Sequence, residues 1–260
     1  MGKPILLLRL EGPLQSWGTR SRWDVRDSAG EPTKSGVIGL LGCALGLKRG
    51  DAGLLELDQK LRFGVRIESI GRLVTDYQTI TDYLPTAGGE WKGRDSRRKS
   101  PVEMRLAGEK PSTIISPRDY LEDAAFLAGF EARSGGEDWL ERAASALQRP
   151  RWPLFLGRKC CVPTRPIFEA LGTTYDDLER AFLTHPWQVS GAGEATRLAP
   201  LRPLRAWLES DDAGSPGAVA RQDALRHNAA RVYDFRFAMP LEVPIEAVIP
   251  RAASVNEVSP

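Results

Sequence analysis

One apolar segment with regularly spaced glycines constrains the fold of this chain more than any other feature. It runs from residue 32 to residue 47 and reads PTKSGVIGLLGCALGL. Beyond its first turn every position other than glycine is apolar or cysteine, so a helix here is buried over most of its surface. Gly39, Gly42 and Gly46 fall at positions i, i+3 and i+7, which places them in one stripe. Because each glycine costs a helix about 1 kcal/mol relative to alanine, the stripe predicts close approach of another element or of a ligand.

The start of this helix also has the features of an anion-binding site. Thr33 or Ser35 is suited to cap it, and Lys34 lies beside the free N–H groups of the first turn. We therefore predict phosphate contacts at Lys34, Ser35 and Gly36. The segment is not a phosphate-binding P-loop, because Thr33 stands where that loop needs glycine, and it lacks the G-x-G-x-x-G dinucleotide fingerprint. Tight packing on a sheet explains the glycines without a ligand, and the two explanations are compatible.

Composition limits the classes of function that the chain can have. Its 260 residues are 42% hydrophobic and 27% charged, with a formal net charge of +2, as in an ordinary soluble protein. Three cysteines without metal-ligand spacing argue against a disulfide framework and against a zinc site. No apolar run reaches the length of a membrane span, and the N-terminal run is too short for a signal peptide. We expect a cytoplasmic protein with no metal, no cofactor and no membrane partner.

The order of the predicted elements indicates an α+β fold. Strands are predicted at residues 5–10, 63–67, 73–80, 120–130 and 152–156, and helices at residues 32–47, 51–61 and 136–149. With a hairpin inserted after the third strand, this order is the βαββαβ plan of ferredoxin-like domains, which RNA-recognition domains use. We assign residues 1–165 to this domain and residues 166–260 to a small β-rich C-terminal subdomain with an extended tail.

A long basic insert interrupts the pattern between about residues 85 and 112. It is rich in glycine, serine, proline and charged residues, and a loop of this length is either functional or disordered. Basic residues beside Trp91 are suited to contact phosphates and bases, whereas a solvated, unstructured insert explains the same composition. The cations of the insert that we predict to contact nucleic acid are Lys92, Arg94, Arg97, Arg98 and Lys99.

Aromatic and amide side chains supply further candidate contacts. Tyr77 and Tyr83 share a face if the strand at 73–80 continues, and tyrosines on a sheet face can stack on bases, although structural tyrosines are more common. A tryptophan in a loop rich in glycine and proline offers a stacking surface, and burial in the core is its alternative. The loop candidates are Gln15 and Trp17, and a Gly-Arg-Lys turn adds Arg158 and Lys159.

Four ordered motifs resemble those of one known family. They are GPLQSWG from Gly12, PTKSGVIGLLGCALGLKRGD from Pro32, DYLEDAAFLAGF from Asp119 and PLFLGRKCCVPTRPIF from Pro153. Together they are similar to the type I-E CRISPR-associated protein five family (CasD), one of the RAMP proteins of the Cascade surveillance complex. The similarity extends over about residues 4–168, and the C-terminal third matches poorly.

The resemblance implies a ferredoxin-like RAMP domain whose basic insert is a protruding β-hairpin thumb. It implies a non-catalytic subunit that holds the 5′ handle of the mature CRISPR RNA in antiviral defence. Its expected neighbours are the backbone subunit, the large subunit and the target DNA near the motif-proximal end. The alternative is a metal-independent endoribonuclease that processes precursor CRISPR RNA, as relatives in type I-C complexes do. In that case Tyr83 with Lys92 or Lys159 would supply the acid and the base.

Overall fold

The protein has a mixed α/β fold built on two antiparallel sheets. The computed structural model describes residues 3–19, 26–81, 108, 113–187, 203–227 and 232–248. The strands are β1 (Ile5–Glu11), β2 (Leu14–Gln15), β3 (Leu61–Ser69), β4 (Arg72–Thr81), β5 (Thr113–Glu122), β6 (Ala125–Ala132), β7 (Phe168–Gly172), β8 (Leu204–Ser210), β9 (Val219–His227) and β10 (Val232–Val243). The helices are α1 (Lys34–Leu45), α2 (Ala52–Lys60), α3 (Glu137–Gln148), α4 (Leu178–Thr184) and α5 (Ile245–Val248).

The larger sheet has seven strands in the order β7-β1-β6-β3-β8-β10-β9. Each pair of neighbours in it is antiparallel. The smaller sheet has the order β2-β5-β4, in which β4 and β5 pair along their whole length as a ribbon. Within the described ranges, no helix combines the length and the apolar character needed to cross a membrane.

The strand predicted at residues 152–156 is wrong. These residues are irregular, and the edge strand beside β1 is β7, which lies further along the chain. The backbone of Leu156 is used in a turn, because its N–H donates to the carbonyl of Cys161 at 2.8 Å and its carbonyl accepts from Ser16 at 3.0 Å. Pro153 has no N–H to give to a ladder. The segment therefore packs as a loop against residues after β2.

The strand predicted at residues 120–130 is divided into two. β5 ends and β6 begins around Asp123, which has a positive φ of 54°. β6 continues in the large sheet between β1 and β3, whereas β5 leaves it and pairs with β4. The ribbon therefore begins at the edge of the core and leads toward the basic insert, nearly all of which lies outside the described residues.

The C-terminal strands extend the large sheet. β8 pairs with β3, where Gly64 lies opposite Leu208, and β10 and β9 follow. A Cβ atom at Gly64 would lie 2.7 Å from the ring of Phe182 and 2.9 Å from Leu208, so only glycine fits between them. The division of the chain near residue 165 remains a prediction, and the two parts that it separates share one sheet.

The large sheet is covered on both faces. Leu6, Leu8 and Leu10 of β1 pack in one core with α1, α2 and α3. Ile5 and Leu7 point to the other face, where α4 and α5 complete a second, smaller core. Alternate residues of this strand therefore enter two different cores, which explains why its sequence is apolar almost without interruption.

Two buried arginines attach α4 to the sheet. Arg66 donates through Nη1 to the carbonyls of Phe182 at 2.6 Å and His185 at 2.9 Å, at the C-terminal end of that helix. This end carries the negative pole of the helix dipole, so a guanidinium group is favoured there. Arg9 donates to the carbonyl of Pro186, just after this helix, at 3.4 Å and to Glu68 at 3.0 Å. The sheet face opposite α1 is therefore covered. It is not accessible to bases, unlike the open sheet of an RNA-recognition domain.

A buried ionic cluster joins the start of α1 to the C-terminal strands. Lys34 is only 1% exposed, and its Nζ donates to Glu209 at 3.0 Å and to the carbonyl of Asp58 at 2.7 Å. Its backbone N–H donates to Asp223 at 2.7 Å. Asp223 also accepts hydrogen bonds from Arg236 at 2.7 and 3.0 Å. We call these five residues the Lys34 cluster; it connects α1, α2, β8, β9 and β10.

Asp58 is an incompletely satisfied member of the cluster. It is 4% exposed, and its Oδ1 has no hydrogen-bond partner among the described residues. Burial raises the pKa of Asp58 to about 6, although Lys34, with Nζ 3.9 Å from Oδ2, opposes the rise. At neutral pH the Asp58 carboxylate is therefore ionised, and the cost of burying this charge lowers the free energy of unfolding.

Replacing Lys34 by methionine should destabilise the fold strongly. The change leaves Asp58 buried without its cation and Glu209, among the described residues, with Arg133 alone at 3.3 Å, which costs about 3–5 kcal/mol of unfolding free energy. Urea denaturation measures this loss. The matched control is Lys48→Met, because Lys48 is exposed just beyond α1 and should change stability by less than about 0.5 kcal/mol. Equal effects of the two substitutions would contradict the role assigned to Lys34.

Replacing Asp58 by asparagine should stabilise the protein at neutral pH. Its pKa is about 6 in the folded chain and 3.8 ordinarily, so the wild type loses stability as the pH rises from about 4 through about 6. The variant lacks this loss, and its advantage should reach about 2–3 kcal/mol at pH 7. Denaturation at several pH values tests the slope, with exposed Asp138→Asn as the control. An advantage that does not grow between pH 5 and pH 7 would refute the assignment.

Candidate nucleic-acid interface

A cleft of about 670 Å³ lies between α1, the segment after β2 and the turn at residues 155–158. Tyr233 of β10 closes one side of it. Arg26 and Arg158 line the cleft, and no carboxylate is among the described residues that do so. We call it the α1 cleft. Arg158 has a buried Nη1 without a hydrogen-bond partner among the described residues, which makes the cleft suited to a negatively charged ligand.

One face of α1 forms the floor of this cleft. Ser35, Gly36, Gly39 and Cys43 all line it. Gly39 is exposed, and a Cβ atom added there would meet no heavy atom within 4 Å. The helix therefore presents bare backbone to the cleft at this position, which allows a bulky ligand to approach closely.

The three glycines of the predicted stripe each have a different structural role. Only Gly39 faces the cleft. Gly42 packs against α2, because a Cβ atom there would lie 2.4 Å from the side chain of Leu54. Gly46 ends the helix in the left-handed conformation, with φ of 78°. The expectation of close approach is therefore confirmed for Gly42, and contact with a ligand stays a prediction for Gly39.

The prediction that Gln15 and Trp17 lie outside the core is wrong. Gln15 is fully buried, and its Nε2 donates to the carbonyls of Leu10 at 3.1 Å and Ala124 at 2.7 Å. Trp17 is 1% exposed, and its Nε1 donates to Gln15 Oε1 at 3.0 Å. A Cβ atom at Gly36 would lie 2.9 Å from the Trp17 ring. These side chains therefore fix the cleft wall against α1 and offer a ligand almost no accessible surface.

The anion predicted at the start of α1 is a carboxylate of the protein itself. The backbone N–H of Lys34 donates a hydrogen bond to the Asp223 carboxylate, and the N–H of Gly36 donates to Thr33 Oγ1 at 3.3 Å. The Lys34 ammonium is turned inward to the Lys34 cluster. The prediction that Lys34 contacts phosphate is therefore wrong, although the helix start does bind an anion. Contacts at Ser35 and Gly36 stay predictions, and both residues line the cleft.

The turn at residues 155–158 forms the opposite wall. Gly157 has φ of 93°, and a Cβ atom there would overlap the carbonyl of Ser16, so the close approach requires glycine. Arg158 lies over the ring of Tyr120 at 4.5 Å and donates to the carbonyl of Arg26 at 2.8 Å. Its guanidinium is thereby held against the wall. Lys159 is exposed on the same turn, and its role in binding stays a prediction.

The remaining predicted contacts do not come together in the α1 cleft. Tyr77 is 64% exposed on β4, opposite Pro117 of β5. Tyr77 and Pro117 pair directly and therefore share a face of the ribbon. Tyr120 is three residues from Pro117 on the same strand, so Tyr120 and the Arg158 side chain stacked on it lie on the opposite face. The contacts that lie outside the described residues are Tyr83, Lys92, Arg94, Arg97, Arg98 and Lys99.

The α1 cleft has few side chains suited to acid–base chemistry among its described residues. Its described lining holds no histidine, lysine or carboxylate that would act as a general base. Burial raises the pKa of the Cys43 thiol, which disfavours a nucleophilic thiolate. Burial also raises the pKa of the Tyr120 phenol on its wall. Within the described parts of the chain, no group of three or more metal-ligating side chains could hold a metal ion.

Sequence reasoning missed three residues of this interface. Arg26 lies outside the four motifs and the predicted elements, and Tyr120 was predicted only as part of a strand. Tyr233 lies in the part of the chain for which only a β-rich subdomain was predicted. It reaches the cleft because β10 belongs to the same sheet as the N-terminal strands. Alternation indicates a strand but does not indicate which distant segment lies beside it.

Comparison with known proteins gives a consistent result. Residues 5–238 match the family described as CRISPR-associated protein (Cas_Cas5). The CRISPR system Cascade subunit CasD of Escherichia coli (strain K12) is 31% identical over 189 residues, which cover 69% of this chain and 76% of that protein.

Two solved structures are also similar to this chain. One, described as "Crystal structure of Cas protein", has a TM-score of 0.64 and 32% identity and covers 94% of this chain and 97% of that one. The other, from a "CRISPR RNA-guided surveillance complex", has a TM-score of 0.64 and 26% identity, with coverage of 96% and 95%. The resemblance found in the four motifs is confirmed, and the chain belongs to the CRISPR-associated protein (Cas_Cas5) family.

Proposed function

We propose that this chain is a non-catalytic RNA-binding subunit of a type I-E Cascade surveillance complex and holds the 5′ handle of the mature CRISPR RNA in the α1 cleft. The family supports a role in CRISPR defence, and the similarity to CasD supports a place in Cascade. The observation that carries the RNA site is the charge of the cleft. Arg158 lines it with a guanidinium whose buried Nη1 has no hydrogen-bond partner among the described residues, and such a donor suits a phosphate oxygen.

The shape of the cleft agrees with single-stranded RNA. Its floor is exposed helix backbone at Gly39, where a sugar or a base can approach without a side chain in the way. Arg158 is held by stacking on Tyr120 and by the carbonyl of Arg26, so little side-chain entropy is lost when it meets a phosphate. Tyr233 adds an aromatic side chain on which a base can stack.

The strand order supports a ferredoxin-like core. We assign β1, β3, β6 and β7, with the helices between them, to the βαββαβ plan, because β1 lies between β7 and β6 and β6 lies between β1 and β3. On this assignment the β4–β5 ribbon is the base of the thumb, and β8, β10 and β9 are an addition beside β3.

The chemistry of the cleft supports a role without catalysis. Cleavage of RNA without a metal needs a general base near the 2′-hydroxyl and an acid for the leaving oxygen. The described residues of the α1 cleft include no histidine, lysine or carboxylate to act as the base, and its one thiol has a raised pKa. The endoribonuclease alternative gains no support from these residues.

The β4–β5 ribbon supports contact with a protein neighbour. Leu73, Tyr77 and Ile115 are 57%, 64% and 48% exposed, and they share one face. Exposed apolar groups of this kind mark contacts between proteins. We assign this face to a neighbouring Cascade subunit, either the backbone subunit or the large subunit, with the target DNA near the motif-proximal end. The complex would act in the cytoplasm.

Replacing Gly39 by glutamate should weaken RNA binding strongly without loss of stability. The position is open, so the side chain enters the cleft and adds a negative charge beside the path of the phosphates. We expect affinity for a fluorescein-labelled single-stranded RNA with a repeat-derived 5′ sequence to fall by about a hundredfold, as judged by fluorescence anisotropy at fixed salt.

The matched control is Gly39→Ala. Alanine adds one methyl group in open space and improves helix propensity by about 1 kcal/mol, so this variant should bind RNA normally and unfold at a higher temperature. Unchanged affinity in Gly39→Glu would remove the α1 cleft from the RNA path. A discrete cleavage product from precursor RNA in chelator would instead favour the endoribonuclease.

A further inference from the structure

A second cleft, of about 460 Å³, adjoins the α1 cleft. Thr19 and Thr33 line both clefts, so the two are neighbours along one surface. The second cleft lies between the segment at residues 27–33 and the strands β3, β8, β9 and β10. Tyr233 lines the first cleft and Phe235, two residues further along β10, lines the second. An RNA strand that leaves the α1 cleft across Thr19 and Thr33 therefore enters the second one.

A layered stack of side chains forms one wall of this cleft. The guanidinium of Arg221 lies over the ring of Trp207 at 4.6 Å. It is held there by Glu31, whose carboxylate accepts from Arg221 at 2.6 Å. The Arg221 side chain keeps 31% of its surface exposed. The stack therefore presents a pre-oriented planar group to a ligand.

The charges of the second cleft are paired within the protein. Glu31 neutralises Arg221, and Asp223 neutralises Arg236 at 2.7 Å. Asp27 accepts a hydrogen bond from Thr19 at 2.6 Å. The described lining therefore carries three carboxylates and two cations, which disfavours a phosphate. A neutral planar group fits this site better, and RNA-binding proteins stack bases on arginine planes and on aromatic rings.

The local strand geometry is also adapted to the site. A bulge in β9 places Gln222 and Asp223 together opposite Phe235, because Asp234 pairs with Ala224 and Arg236 pairs with Arg221. Bulges re-aim side chains and are frequent beside functional sites. Both bulge residues line the cleft: Asp223 is bonded to the start of α1, and the amide of Gln222 can bond to the edge of a base.

We propose that the second cleft binds one nucleobase of the RNA, stacked on the guanidinium plane of Arg221. This inference rests on the proposed function and extends the RNA site onto the C-terminal strands. The α1 cleft holds phosphates, and the second cleft receives the base that follows along the strand. Binding at the second site contributes affinity with little dependence on salt.

An abasic scan of the RNA combined with Arg221→Lys tests this inference on the full chain. Lysine keeps the positive charge but lacks the planar guanidinium group on which a base could stack. In the wild type, removing the base at one position should weaken binding about tenfold. In Arg221→Lys, intact RNA should bind about tenfold more weakly, and removal of that same base should cost nothing further. The dependence of affinity on salt should match that of the wild type.

The matched control is Arg226→Lys. Arg226 lies on the same strand and is also paired with a carboxylate, Asp234 at 3.4 Å, but it lines neither cleft. Circular dichroism establishes that each variant is folded. If Arg221→Lys keeps the full wild-type penalty at every abasic position, the second site is refuted while Gly39→Glu still tests the first. If the wild type does not bind the RNA, both proposals fall together.

Discussion

The buried ammonium of Lys34 is the interaction on which the rest of the structure depends. It donates to the side chain of Glu209 on β8 and to the carbonyl of Asp58 on α2, while the backbone N–H of Lys34 donates to Asp223 on β9. A buried charge is tolerated only when its partners are in place, so α1 cannot take its position unless the C-terminal strands have joined the sheet. The floor of the α1 cleft is therefore positioned by residues more than a hundred positions away in sequence.

This dependence also decides where RNA can bind. The N-terminal end of α1 is occupied by a carboxylate, and the sheet face opposite α1 is covered by α4. What remains accessible is the side of α1 around Gly39, together with the wall that carries Arg158. RNA is thus expected across the side of the helix, and the C-terminal strands that complete the Lys34 cluster also supply the neighbouring cleft.

Local patterns predicted much of this architecture. Apolar periodicity indicated β1, α1 and α3, because burial on one or both faces leaves a direct mark on the sequence. The accessibility expected of Gln15, Trp17 and Lys34 was wrong for a common reason. From sequence alone, a polar residue that is fully hydrogen-bonded in the core cannot be distinguished from one that binds a ligand. Their partners lie on distant segments, and no local rule indicates which segments meet. The strand at 168–172 was missed because its five residues carry no clear alternation.

Ultraviolet cross-linking of CRISPR RNA to the assembled complex, followed by mass spectrometry of the linked peptides, tests the central claim most directly. RNA held in the α1 cleft should link to peptides that contain residues 33–43, residues 155–158 and Tyr233, which come from three separate parts of the chain and meet only at this cleft. Cross-links confined to other surfaces of this subunit, with none in these three segments, would contradict the assignment of the RNA site.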